Sequence, residues 1–106
     1  MNDALIVFTT YPDYEAALRA ASRLVQEKLA ACVNVLPQMT SVYTWKGEAK
    51  IDTEHLLLVK TTFRRFDALK AVIVDTHPYE LPEIIATPIT RSLQDYLDWI
   101  GAQTTV

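Results

Sequence analysis

The order in which strand-like and helix-like segments alternate constrains this 106-residue chain more than any single motif. Ala4-Leu5-Ile6-Val7-Phe8-Thr9-Thr10 is a continuous β-prone run, as expected of a central strand buried on both faces. Tyr11-Pro12-Asp13 ends it, and Asp13 is placed to cap a helix. Tyr14, Ala17, Leu18, Ala21, Val25 and Leu29 then follow helical spacing, with Glu15 near the start and Lys28 near the end, as the helix dipole favours. Cys32-Val33-Asn34-Val35-Leu36 reads as a second strand. Pro37-Gln38-Met39-Thr40 interrupts it as a bulge or bend, and Ser41-Val42-Tyr43-Thr44-Trp45 resumes it. Lys46-Gly47-Glu48 is a tight turn, and Leu56 to Thr61 is the return strand of a long hairpin.

Phe66, Leu69 and Ile73 mark a second helix, and Ile84 to Thr90 a fourth strand with Pro88 at an edge or irregular end. Ser92-Leu93-Gln94-Asp95 resembles a capping box, after which Tyr96, Leu97 and Ile100 predict a short helix ended by Gly101. The succession β-α-β-β-α-β plus a helix predicts an α+β, ferredoxin-like sandwich: four antiparallel strands with two helices on one face and an extra C-terminal helix. Residues 1–106 read as one domain. The hairpin from Cys32 to Thr62 is longer than such a domain needs, and long strands leave unpaired edges that a second subunit can cover.

Between the second helix and the fourth strand lies His77-Pro78-Tyr79-Glu80-Leu81-Pro82-Glu83-Ile84. Each proline fixes φ, removes a donor and holds the preceding residue extended. An imidazole, a phenol and two carboxylates therefore sit on a rigid turn, where binding groups are commonly held. The two glycines, Gly47 and Gly101, exclude a glycine-rich phosphate cradle. A formal charge of -3 argues against nucleic acid, which calls for a basic face. The single cysteine, Cys32, fits a reducing compartment, and the N-terminal apolar run is too short for a signal peptide or membrane span, so the expected location is cytoplasmic and no membrane partner is expected.

Five blocks, in order, carry a resemblance to a known family: Glu27-Lys28-Leu29-Ala30-Ala31-Cys32-Val33-Asn34, Ser41 to Glu48, Leu57-Leu58-Val59-Lys60-Thr61, His77 to Ile84, and Tyr96-Leu97-Asp98-Trp99-Ile100. With them the chain resembles the CutA family of divalent-cation tolerance proteins over nearly its whole length. The resemblance implies a homotrimer similar in architecture to PII signalling proteins. It also implies binding of copper or another divalent cation, with no cofactor required. Some family members that are proposed to bind copper have a cysteine on the first strand and a second histidine; this chain has Thr9 and Thr76 at those places. A glycine common before the last helix is Ser92 here.

Each candidate residue has a functional and a structural reading. Cys32 is a thiolate ligand for Cu(I) or a small buried hydrophobe. His77, with Glu80 and Glu83 beside it, is a ligand for Cu(II) or Zn(II), or an imidazole that ties the loop to backbone. Lys60 ends an apolar run in a central strand, so it must snorkel or pair with an acid; Glu83 is the expected partner, in a cleft between subunits. Tyr79 and Trp45 are expected at that cleft, although packing or trimer contact accounts for Trp45 and Trp99 equally well. His55 is expected at an exposed edge. No serine or cysteine stands in a recognisable motif with a histidine and an acid, so a binding module is expected rather than an enzyme. The alternative function is a PII-like trimer that binds a small anionic metabolite near Lys60.

Overall fold

A computed structural model describes residues 2–105. The elements run β1 (Ala4–Tyr11), α1 (Tyr14–Gln26), β2 (Cys32–Trp45), β3 (Glu48–Thr62), α2 (Phe63–Thr76), β4 (Ile85–Pro88) and α3 (Gln94–Gln103). All pairings are antiparallel and the sheet order is β2-β3-β1-β4. This is the predicted ferredoxin-like α+β sandwich with its extra helix.

Alternation along β1 sets the two faces of the sheet. Val7 and Tyr11 point into a core with Leu57 and Val59, and α1 and α2 close it with Ala17, Leu24, Leu69 and Ile73. Ile6, Phe8, Leu56 and Leu58 point to the opposite face and are only half-buried. At one end of that face α3 packs Ile100 on Ala4 and Ala31. The rest of it is open.

Helix α1 starts where Asp13 accepts a hydrogen bond from Ala16 N at 2.8 Å, as the sequence predicts. It ends with Lys28 at φ 58° and Leu29 N donating to Leu24 O, a left-handed cap built on lysine instead of glycine. The predicted interruption at Pro37 is a register shift between Leu36 and Met39, with Gln38 at φ 57°. The strand continues through it. The return strand begins at Glu48, so the hairpin extends from Trp45↔Glu48 back to Cys32↔Lys60, paired on both sides of that shift. Its length sets the long axis of the molecule, 44 Å against 25 and 22 Å.

Several expectations need correction. The fourth strand is only Ile85–Pro88, shorter than the expected Ile84 to Thr90, with a last backbone bond from Ile89 N to Ala4 O at 3.0 Å. The capping box at Ser92 does not form. Leu93 is the N-cap residue without a side-chain bond, and Ser92 Oγ donates to Leu93 O instead. Gly101 lies inside α3, which runs on to Gln103; Thr104 then satisfies the last turn by donating to Ile100 O at 2.9 Å. His55 is buried, not exposed, and its Nδ1 accepts from Gln38 N at 3.3 Å, which braces the bulge.

A candidate acidic groove beside the proline loop

The proline loop folds back against the distal half of the hairpin and leaves a groove of about 670 Å³. Its walls include Tyr43, Trp45, Glu54, Tyr79, Glu80 and Glu83. The loop is held there by His77. Tyr79 N donates to His77 Nδ1 at 3.0 Å, so Nδ1 carries the lone pair; Nε2 carries the proton and donates to Thr10 O at 2.7 Å. The ring also stacks on Tyr11, centroids 4.3 Å apart. Burial lowers the His77 pKa, only partly offset by the Thr10 carbonyl and Glu54, so the imidazole is neutral at pH 7.

Of the two readings of His77, this arrangement matches the imidazole that ties the loop to backbone. Neither ring nitrogen has a lone pair to offer, and the residue works as a strut. Burial likewise pushes the Tyr11 phenol up to about 12, and its hydroxyl has no partner among the described residues.

Tyr79, once positioned, donates its hydroxyl to Glu54 Oε2 at 2.7 Å. Burial, then this carboxylate, raises the phenol pKa well above its ordinary value. Tyr43 likewise donates to Asp52, and that bond holds its phenol protonated. Glu83, though exposed on its outer side, has its carboxyl pushed up by partial desolvation and then by the charge of Glu54. The groove wall carries three carboxylates, from Glu54, Glu80 and Glu83, and no lysine, arginine or histidine.

Of the residues singled out from sequence, Tyr79, Trp45, Glu80 and Glu83 come together here. Lys60 does not. It lies on the open sheet face, where Nζ donates to Asn34 Oδ1, so the expected pair with Glu83 is not formed. Cys32 is beside it, opposite Lys60 in the ladder, with Sγ 4.0 Å from Asn34 Oδ1. Among the described residues, no three histidine, cysteine, aspartate or glutamate side chains converge as a metal site. Sequence reasoning missed Glu54, Tyr43 and Thr10. Glu54 carried a faint signal: an acid two residues before the apolar run Leu56 to Val59, on a strand about to enter the core.

A family model described as CutA1 divalent ion tolerance protein matches residues 5–103. The divalent-cation tolerance protein CutA of Thermus thermophilus is 48% identical over 99 residues, covering 93% of this chain and 96% of the relative. A chloroplastic CutA of Arabidopsis thaliana is 42% identical over 101 residues, 95% of this chain, and the chain spans 56% of that longer relative. The solved structure of a periplasmic divalent cation tolerance protein CutA from Archaeoglobus fulgidus superposes with a TM-score of 0.93 at 37% identity, covering 96% of this chain and 99% of the other. Among the described residues, no helix is long and apolar enough to cross a membrane.

Proposed function

The chain belongs to the CutA1 divalent ion tolerance family, and from that premise we propose that it acts in cation tolerance as a homotrimer that binds divalent metal ions, copper foremost, without catalysing a reaction. The observation that carries the metal reading is the uncompensated charge of Glu54, Glu83 and Glu80 on one groove wall. Carboxylate oxygens bind hard and borderline dications, and copper heads the affinity order at such a site. A pair of carboxylates without an available imidazole implies modest affinity, which suits an ion that must be released again. Calorimetric titration with Cu(II) and Zn(II) tests this. Affinity is expected to fall at least tenfold in Glu83→Gln, since a full charge-assisted contact is worth roughly 1.5–3 kcal/mol. Equal affinity in wild type and Glu83→Gln would sink the assignment.

The trimer reading rests on exposed apolar surface. Val42 and Ile51 face each other across the distal hairpin, 71% and 72% exposed, an apolar strip at its far end. β2 is also an edge strand of 14 residues, a long row of unpaired backbone groups of the kind proteins cover. Pairing with further copies would satisfy both the strip and the edge. Light scattering is expected to give three times 12.0 kDa, and a persistent monomer at micromolar concentration refutes it. Binding without turnover is supported by His77, whose two nitrogens are committed to backbone.

A further inference from the structure

The proline loop is attached to the sheet through one imidazole, and the attachment depends on which protons that ring carries. His77 Nδ1 accepts from Tyr79 N at 3.0 Å, while Nε2 donates to Thr10 O at 2.7 Å. Only the neutral ring with its proton on Nε2 makes both bonds. A second proton goes to Nδ1, and the new N–H then faces the N–H of Tyr79, donor against donor. The Thr10 bond survives that change and the Tyr79 bond does not. The chain has little freedom to adapt, since Pro78 fixes φ and holds His77 extended at ψ 138°. Tyr79 carries the change outward, because its hydroxyl ties the loop to Glu54 Oε2 on the hairpin at 2.7 Å.

We propose that the loop is an acid-released latch: protonation of His77 at Nδ1 detaches Tyr79 from the imidazole and from Glu54, so that the loop swings off the hairpin while the sandwich stays folded. The surroundings of the ring favour release over retention of a charged latch. The titratable groups that face it are the Tyr11 phenol from β1, stacked at 4.3 Å, the Tyr79 phenol from the loop at 4.8 Å, and the more distant Glu54 carboxylate from β3. His55 lies one strand further, opposite Tyr11 in the ladder. Among the described residues no carboxylate forms an ion pair with His77. Burial lowers its pKa, so the latch is closed above about 6.5 and is released as pH falls through that value toward the lowered one. The main core takes no residue from the loop before Ile84, so release leaves that core intact. The latch does not rest on the metal reading; it acts on the loop whatever the groove holds.

The test is amide hydrogen exchange followed by NMR on the metal-free full chain, with each rate corrected for its intrinsic dependence on pH. Between about pH 7.5 and about pH 5 the protection of the Tyr79 amide is expected to fall about 10-fold or more, as loss of its hydrogen bond and of the linked Glu54 contact requires, while the amides of Val7 and Leu57 hold within about twofold. His77→Asn keeps an acceptor oxygen for Tyr79 N and has no proton to gain, so Tyr79 protection is expected to stay level across the range in that variant, with His55 left in place. Should His77→Asn fail to fold, wild type supplies the second readout: the titration of the His77 Cε1 proton and the loss of Tyr79 protection must share one midpoint. A Tyr79 amide equally protected, or equally unprotected, at both ends of the range would overturn the latch. So would a fall that persists in His77→Asn, midpoints that differ, or a loss shared by Val7 and Leu57, which marks global unfolding instead.

Discussion

Replacing His77 by alanine removes the strut that holds the proline loop, and its cost can be worked from the contacts. Two hydrogen bonds vanish, Nε2 to Thr10 O at 2.7 Å and Tyr79 N to Nδ1 at 3.0 Å, each worth about 1 kcal/mol net. The stack on Tyr11 at 4.3 Å adds about 1 kcal/mol. The total is about 3 kcal/mol, a large share of a domain stability of roughly 5–15 kcal/mol. With a urea slope of about 1–3 kcal/mol/M, the unfolding midpoint should fall by about 1–3 M at fixed protein concentration. The pH dependence provides the sharper check. Because the folded-state pKa of His77 lies below its ordinary value, the unfolded chain takes up the proton first as pH drops. The stability that His77 contributes is therefore complete above about 6.5 and is lost as pH falls through that value toward the lowered one. The gap between wild type and His77→Ala should be widest at pH 7.5 and narrower at pH 5.5. A gap that stayed constant or widened on acidification would show that the imidazole is not held neutral between Thr10 and Tyr79.

Three further outcomes follow from local geometry. Asp13→Ala should destabilise by about 1 kcal/mol, read as a lower denaturation midpoint, because Ala16 N loses its 2.8 Å acceptor; an unchanged midpoint would remove the cap. Gly47→Ala should cost about 1 kcal/mol from backbone strain alone, since φ is +82° and nothing lies within 4 Å of the new Cβ. Equal thermal stability would contradict that. Glu83→Gln should gain stability over wild type at pH 7 relative to pH 4: a carboxyl whose folded pKa is raised contributes below its ordinary value and loses that contribution as pH rises through the raised one. A relative gain that is larger at pH 4 would reverse the assigned sign.

Local signals and long-range pairing divide the information in this chain unevenly. Periodicity placed β1, α1, the hairpin and α2, since the spacing of Ala17 and Ala21 is set by the helical repeat, although Leu18 and Val25 of the same reading are exposed and Leu24 is the buried residue. Asp13 and the bulge at Pro37 were equally legible, because a cap and a missing donor act within a few residues. The five ordered blocks were sufficient for the family. What sequence could not supply was which polar groups meet. Lys60 meets Asn34 rather than Glu83, because direct strand pairing puts Cys32 opposite Lys60 and leaves Glu83 on the loop. Whether His77 is a ligand or a strut depended on Thr10, 67 positions away, and the role of Glu54 on Tyr79, 25 positions away. A hydrogen bond is decided over about 3 Å, and only the folded sheet brings such distant residues that close.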